Sequence, residues 1–144
     1  MIGVDTNVLV YAANLSDPHH DAARGFLLSA LATRRVCAPW TVLYEFLRVV
    51  THPRVLSTPW TTAAAWEFVS TLLRAPNFTP LSETVEHASA AGLALAEVSG
   101  NLVYDAHIAA VLKENGVREF WTYDRDFLRF DFLVVRDPLR DVLS

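Results

Sequence analysis

The sequence is poor in cysteine and in charged residues, and it contains no long apolar run, internal repeat or low-complexity tract. Its single cysteine, Cys37, cannot form an internal disulfide, and its apolar surroundings are typical of a small buried residue in a reducing compartment. No segment approaches the roughly 20 apolar residues of a membrane span, and the N-terminus lacks a basic region followed by a cleavable apolar stretch. We therefore expect a cytoplasmic protein with no membrane association.

The rest of the composition is that of a well-packed domain. Of the 144 residues, 52% are hydrophobic and 19% are charged, which favours one globular domain over residues 1–144. The net charge of −4 argues against a polyanionic partner, but eleven of the twelve basic residues are arginines, which pair bidentately with phosphate. Genome composition can produce the same excess of arginine, so charge alone leaves nucleic-acid binding open.

Strand and helix patterns alternate along the chain. Strands are predicted over residues 2–4, 36–38, 78–81, 119–123 and 132–135, the third restricted to a sheet edge by a proline. Helices are predicted to begin near Pro18, Thr41, Pro59, Glu83 and Leu102. This alternation predicts an α/β fold with a mostly parallel central sheet of four to five strands, flanked by helices on both faces.

Four acidic residues occupy positions at which a carboxylate is unexpected. Asp5 and Asp124 each follow a predicted strand, and the carboxyl ends of parallel strands open onto the ligand crevice. Glu45 borders the apolar stripe of its helix, and Asp105 lies on the apolar stripe of another, where an ionised group needs compensation. Each position also has an ordinary interpretation, such as a helix cap for Asp5. Together, the four positions favour convergence on one site.

Convergence of four carboxylates would have chemical consequences. At about 4 Å, each pair repels by several kcal/mol at an effective dielectric near 20, so the group must take up protons or bind a cation. We expect at least one raised carboxylate pKa in the metal-free protein, with Asp105 as the best candidate. Oxygen ligands without a cluster of histidine and cysteine select Mg²⁺ or Mn²⁺, and such a cage can activate water for phosphodiester hydrolysis.

The same residues lie in motifs that resemble those of a known family. The stretches Val4-Asp5-Thr6-Asn7-Val8-Leu9-Val10-Tyr11, Leu43-Tyr44-Glu45-Phe46, Gly100-Asn101-Leu102-Val103-Tyr104-Asp105-Ala106-His107 and Trp121-Thr122-Tyr123-Asp124-Arg125-Asp126-Phe127 occur in the order found in PIN-domain proteins. Within that superfamily, the chain resembles the VapC-type toxins of prokaryotic toxin–antitoxin pairs. The resemblance covers nearly the whole chain and implies a single PIN-like domain.

The resemblance implies a Mg²⁺-dependent endoribonuclease that can also use Mn²⁺. The acidic quartet Asp5, Glu45, Asp105 and Asp124 would hold the metal and carry catalysis, supported by the polar residues Asn7 and Thr122 and by the outer acid Asp126. The resemblance also implies a homodimer that cleaves RNA. Its inhibitor would be an antitoxin protein whose C-terminal segment lies across the active site.

Several further residues have competing interpretations. Arg48, Arg54 and Arg125 are candidates for binding RNA phosphates, although an exposed arginine without a role would look the same. His107 is interpreted as structural, His19 and His20 as solvated residues of a first helical turn, and the four tryptophans as core or dimer packing.

Two alternative functions compete with the ribonuclease. An aspartyl-nucleophile phosphatase also places an aspartate after its first strand, but it requires a second acid two residues later, where Asn7 stands. A catalytically silent PIN-like domain could bind a partner without hydrolysis. Such a domain would not require four mutually repelling carboxylates.

Overall fold

The structure is a computed structural model that describes residues 1–144. Its centre is a five-stranded parallel sheet with the strand order β3-β2-β1-β4-β5. The strands are β1 (Ile2–Val4), β2 (Val36–Pro39), β3 (Phe78–Leu81), β4 (Glu119–Trp121) and β5 (Val134–Arg136). The predicted α/β class and parallel sheet are confirmed, and β3, which its proline restricts to a sheet edge, lies at one.

Six α-helices accompany the sheet. They are α1 (Thr6–Ala13), α2 (His20–Thr33), α3 (Trp40–Val50), α4 (Thr62–Arg74), α5 (His87–Ala94) and α6 (Leu102–Glu114), and a 3₁₀ helix spans Arg125–Arg129. Side chains of successive residues in a strand point to opposite faces, and all residues of β1 and β2 are buried, so both faces of the sheet centre are covered. None of the helices is both long and apolar enough to span a membrane.

Strand order positions the carboxyl ends of β1 and β4 side by side. From β1 the chain crosses to β2 and β3 on one side and later returns to β4 and β5 on the other, so the direction of progression reverses beside β1. Such a reversal creates a crevice at the carboxyl edge of a parallel sheet. Val4 pairs with Trp121, and the backbone N–H of Asp5 donates to the Trp121 carbonyl oxygen at 3.0 Å. The residues that follow the two strands are therefore neighbours.

A close approach between α6 and the sheet depends on Gly3 in β1. A Cβ atom at this position would lie 2.8 Å from Cδ2 of Leu112 in α6 and 3.0 Å from Cδ1 of Phe120 in β4. Both neighbours are fully buried, so neither can move freely away. The missing side chain allows α6 to pack directly on β1, which carries the acidic N-terminal turn of α6 toward the crevice.

Several element boundaries differ from those predicted. The predicted helix over residues 83–98 contains only the eight residues of α5. Residues 83–86 instead form a turn, in which the Glu86 N–H donates to Thr84 Oγ1 at 3.1 Å, and Glu97 and Gly100 adopt positive φ values. Smaller differences are that α2 begins at His20, α3 begins at Trp40 after Pro39, β4 ends at Trp121, and β5 covers residues 134–136.

Candidate active site

Asp5 is the N-cap of α1 and is also the most deeply buried of the four predicted acids, with 5% of its surface exposed. Its Oδ1 accepts a hydrogen bond from the Thr6 backbone N–H at 2.7 Å, and its Oδ2 accepts one from the Thr122 hydroxyl at 2.6 Å. Burial raises the pKa of Asp5 to about 7; these hydrogen bonds oppose the rise, and the negative charges of Glu45 and Asp105 add to it. Asp5 is therefore both the cap of α1 and one of the acids of the predicted site.

A small polar network fixes Asp5 between the ends of β1 and β4. The Asn7 side-chain amide donates to Thr122 Oγ1 at 3.2 Å and approaches Asp5 Oδ2 at 3.4 Å. Asn7 Oδ1 accepts from the Tyr123 N–H at 3.2 Å, and Thr122 Oγ1 accepts from the Asp124 N–H at 2.9 Å. Asn7 and Thr122, both predicted as supporting residues, thus connect Asp5 to the loop that carries Asp124.

Glu45 approaches this network from α3. The Thr6 hydroxyl lies 3.4 Å from Glu45 Oε2 and also 3.4 Å from the Val42 carbonyl oxygen. Glu45 Oε1 lies 3.7 Å from a guanidinium nitrogen of Arg48, an exposed pair one helical turn apart that contributes little to stability. Thr6, which the sequence argument overlooked, is bonded to Asp5 through its backbone and contacts Glu45 through its hydroxyl. The sequence feature that could have identified Thr6 is its position directly after Asp5.

Asp105 lies in the first turn of α6 and has neither a hydrogen-bond partner nor a basic residue within salt-bridge distance. One carboxylate oxygen from each of Asp105, Asp124 and Asp126 lies within 4.8 Å of the others. Partial burial raises the pKa of Asp105 to about 6, with further increases from Asp124, Asp126 and Glu45 and an opposing effect of Arg129. The acids are therefore close enough to repel one another.

Asp105, the best candidate from the sequence for a raised pKa, does have one, but the pKa of Asp5 is raised further. Asp105 does have the buried residues Ile108 and Ala109 on its C-terminal side. On its N-terminal side, however, Asn101 is exposed and Leu102 is only half-buried, because α6 begins where it emerges from the core. Asp105 therefore faces an opening, whereas Asp5 is enclosed.

The acids surround an open cleft of about 790 Å³. Its lining residues are Thr41, Tyr44, Glu45, Arg48, Asn101, Leu102, Tyr104, Asp105, Asp124 and Asp126. Asp5 lies behind this lining and is linked to it through Thr6 and Thr122. Two aromatic side chains in the cleft wall were not singled out from the sequence, although they lie within its motifs: Tyr44 is 64% exposed and Tyr104 is 68% exposed.

The three arginine candidates occupy different places. Arg48 lines the cleft, Arg125 lines an adjoining groove beside Asp124, and Arg54 lies in the turn after α3, away from the cleft lining. Arg129 was not considered, yet its charge lowers the pKa of Asp105 and its Nε donates to the Asp126 carbonyl oxygen at 3.1 Å. Of the candidates, Arg48 is therefore the best placed to contact a ligand in the cleft.

The interpretation of His20 as a solvated residue is wrong, whereas His19 is partly exposed. His20 is buried, and its Nδ1 lies 3.0 Å from the Tyr11 carbonyl oxygen. His19 stacks on Tyr11 with ring centroids 5.0 Å apart. Among the tryptophans, Trp121 is buried in the core as predicted, whereas Trp66 is exposed on α4.

Comparisons with known proteins agree with this geometry. The PIN-domain family profile matches residues 2–133. Ribonuclease VapC43 of Mycobacterium tuberculosis is 39% identical over 143 residues, covering 96% of each chain, and ribonuclease VapC48 of the same species is 34% identical over 137 residues, covering 93% of this chain and 94% of its own. The chain therefore belongs to the PIN-domain family and, within it, to the VapC ribonucleases.

Solved structures share the fold. The M. tuberculosis toxin VapC20, described as cleaving the sarcin–ricin loop, superposes with a TM-score of 0.68 at 21% identity, covering 94% of this chain and 99% of its own. The Rickettsia felis VapBC2 complex, bound to a DNA fragment from its promoter, gives a TM-score of 0.69 at 19% identity, with coverages of 95% and 98%. Together with the family match, these comparisons confirm the predicted resemblance to VapC-type nucleases.

Proposed function

We propose that this protein is a Mg²⁺-dependent endoribonuclease, able to use Mn²⁺ instead, that acts as the toxin of a toxin–antitoxin pair. The observation that carries the proposal is the convergence of four acids on one open cleft, with Asp5 directly behind them; they are Glu45, Asp105, Asp124 and Asp126. The Asp105 carboxylate has no hydrogen-bond partner and no basic residue within salt-bridge distance. Membership of the VapC ribonucleases supports RNA as the substrate. An open cleft with an exposed wall suits a flexible nucleic-acid strand better than a small molecule.

The donor set of the cleft fits a hard divalent cation. All the converging side chains offer carboxylate oxygens, and burial with mutual repulsion already raises the pKa of Asp5 and of Asp105. A cation would compensate this excess of negative charge. Asp5, Glu45, Asp105 and Asp124 would hold it, with Asp126 as an outer acid. When bound, Mg²⁺ supplies Lewis acidity and lowers the pKa of a coordinated water.

The remaining residues of the cleft would position the acids and the RNA. Thr122 and Asn7 orient Asp5 by direct hydrogen bonds, so that its carboxylate is fixed before any ligand enters. Arg48 would contact an RNA phosphate at the rim of the cleft. Exposed Tyr44 and Tyr104 offer aromatic faces on which unpaired bases could stack.

An antitoxin partner is the natural counterpart of this site. The related VapBC2 complex and the gonococcal FitAcB structure match this fold closely. An unbalanced cluster of acids at an open surface would attract a basic side chain, and arginine matches paired carboxylates geometrically. We therefore propose a protein inhibitor that inserts an arginine into the cleft. A homodimer and a cytoplasmic location also remain part of the proposal.

The proposal is tested by cleavage of single-stranded RNA with excess Mg²⁺, with chelator, and with chelator followed by added Mg²⁺. We expect cleavage only in the first and third conditions, and only by wild type and by Asp131→Asn, a matched substitution of an exposed aspartate outside the cleft. Asp105→Asn should be inactive but folded. Full cleavage in chelator, or by Asp105→Asn, would overturn the assignment; folded wild-type protein that cleaves no RNA would favour the silent binding domain.

A further inference from the structure

A second cluster of metal-ligating side chains lies on another side of α6. It comprises Glu83 after β3, His87 at the start of α5, and His107 on α6, and one ligand atom from each lies within 4.8 Å of the others. His107 follows Asp105 by two residues, about 200° around the helix, so it points away from the acidic cleft. None of these residues lines that cleft.

Both imidazole rings are held through Nδ1. His107 Nδ1 lies 2.6 Å from the Thr41 hydroxyl oxygen, and His87 Nδ1 lies 2.5 Å from Glu114 Oε2. The Glu114 carboxylate is completely buried and also accepts a hydrogen bond from the Thr84 backbone N–H. In protein metal sites, a ligating histidine generally uses its second ring nitrogen in this manner, because the bond fixes the tautomer and the ring orientation.

The other nitrogen of His107 faces an acid at short range. His107 Nε2 lies 2.7 Å from Glu83 Oε1, and the His87 ring meets the His107 ring edge to face with centroids 5.4 Å apart. A single divalent cation between the two rings would bind Glu83 and one ring nitrogen of each histidine in place of this contact.

We propose that Glu83, His87 and His107 form a transition-metal site, distinct from the acidic cleft, that binds Zn²⁺. Two imidazole nitrogens and one carboxylate oxygen are a borderline donor set that Zn²⁺ accepts and Mg²⁺ does not favour. Exposed Glu83 leaves room for a water as the fourth ligand. Ligand atoms on tetrahedral zinc lie roughly 3.3 Å apart, so the Glu83–His107 contact must lengthen by several tenths of an ångström.

Metal binding here would connect three parts of the fold. The ligands come from the turn after β3, from α5 and from α6, and Thr41 extends the contact to the first turn of α3. Helix α3 carries Glu45 one turn further on, and α6 carries Asp105. Zinc would therefore stabilise α5 on α6 and fix the relative positions of the two helices that supply acids to the cleft.

The test titrates Zn²⁺ into the metal-stripped full chain with millimolar Mg²⁺ present to compete at the acidic cleft, by calorimetry and by thermal melting. We expect one zinc per chain and a raised melting temperature. His87→Gln and Glu83→Gln should each weaken zinc binding, and Thr41→Val should weaken it by roughly 10- to 100-fold. Co²⁺ should give the visible absorption bands of a tetrahedral site in wild type and lose them in His87→Gln.

Two controls separate this site from others. His52→Gln removes a histidine in the turn after α3, outside the cluster, and should leave zinc binding unchanged. Asp105→Asn alters the acidic cleft and should also retain one zinc per chain. Both are compared with His87→Gln after circular dichroism shows that each variant is folded in chelator. The proposal is overturned if wild type binds no zinc under these conditions. It is also overturned if Asp105→Asn loses zinc binding while His87→Gln keeps it.

Discussion

Asp105→Asn should stabilise the metal-free protein at pH 7. In the folded protein the pKa of Asp105 is about 6, above the ordinary value of 3.8 that applies to the unfolded chain. A carboxyl group with a raised folded pKa favours unfolding once the pH exceeds the unfolded value, and the penalty reaches its full size above the folded value. At pH 7 the penalty is therefore complete, and asparagine removes it.

The magnitude follows from the two pKa values. The difference between about 6 and 3.8 corresponds to roughly 3 kcal/mol if none of it is screened. Asp105 is only half-buried, so solvent screening reduces this to about 1 kcal/mol. The Asp105 carboxylate accepts no hydrogen bond, so asparagine of similar shape sacrifices no native side-chain contact. We expect a melting temperature about 3 °C higher than that of wild type at pH 7 in chelator.

The assay is thermal unfolding of both proteins at pH 7 and near pH 4, first in chelator and then with Mg²⁺. The advantage of Asp105→Asn should shrink toward pH 4, where the folded wild-type carboxyl is protonated and the unfolded one is near the midpoint of its titration. Mg²⁺ should stabilise wild type more than the variant, since the variant lacks a charged ligand. Asp131→Asn should show neither effect. A variant that is less stable than wild type in chelator at pH 7 would refute the argument, because it would mean that Asp105 makes a stabilising contact.

Three further predictions concern the cleft. Mn²⁺ should replace Mg²⁺ in RNA cleavage, whereas Ca²⁺, which prefers longer and looser coordination, should bind without comparable turnover; equal rates with all three ions would contradict a tight oxygen cage. Thr122→Val should destabilise the fold by about 1–3 kcal/mol in urea titrations, because Asp5 Oδ2 loses its shortest hydrogen bond; unchanged stability would show that this bond is replaced. An antitoxin peptide whose cleft-binding arginine is replaced by glutamine should bind more weakly and no longer inhibit RNA cleavage, and undiminished inhibition would place its binding site elsewhere.

The ends of strands were the most predictable part of the site. Asp5 and Thr122 follow β1 and β4, and the parallel pairing of Val4 with Trp121 brings them together. A strand needs only an apolar run and a stop signal to be recognised, and a parallel sheet then determines where its carboxyl end lies. The positions of Asp5 and Asp124 relative to the crevice could thus be derived from local patterns.

Burial at the site was not predictable in the same way. The sequence places Asp105 on an apolar helical stripe, but it does not show that α6 leaves the core near Leu102. Nor does it show that Thr122, more than 100 residues later in the chain, encloses Asp5. The same limitation explains α5, where a turn held by Glu114 replaces the first part of the expected helix. Long-range contacts decide these features, and helical periodicity contains no information about them.

Asp5 has one structural role and one proposed metal-binding role, and together they account for a destabilising carboxylate at the centre of the fold. Asp5 Oδ1 caps α1 and Oδ2 binds Thr122, so each oxygen has one short hydrogen bond and retains a lone pair for another ligand. Asparagine at this position could still cap α1. Its amide nitrogen, however, would replace the carboxylate oxygen Oδ2, which now accepts the hydrogen bond from the Thr122 hydroxyl. Capping alone therefore does not require the charge, since Asn and Asp are equally good caps. Burial raises the pKa of Asp5 to about 7 at the expense of stability, and the proposed cation would offset that cost because it would bind the ionised carboxylate.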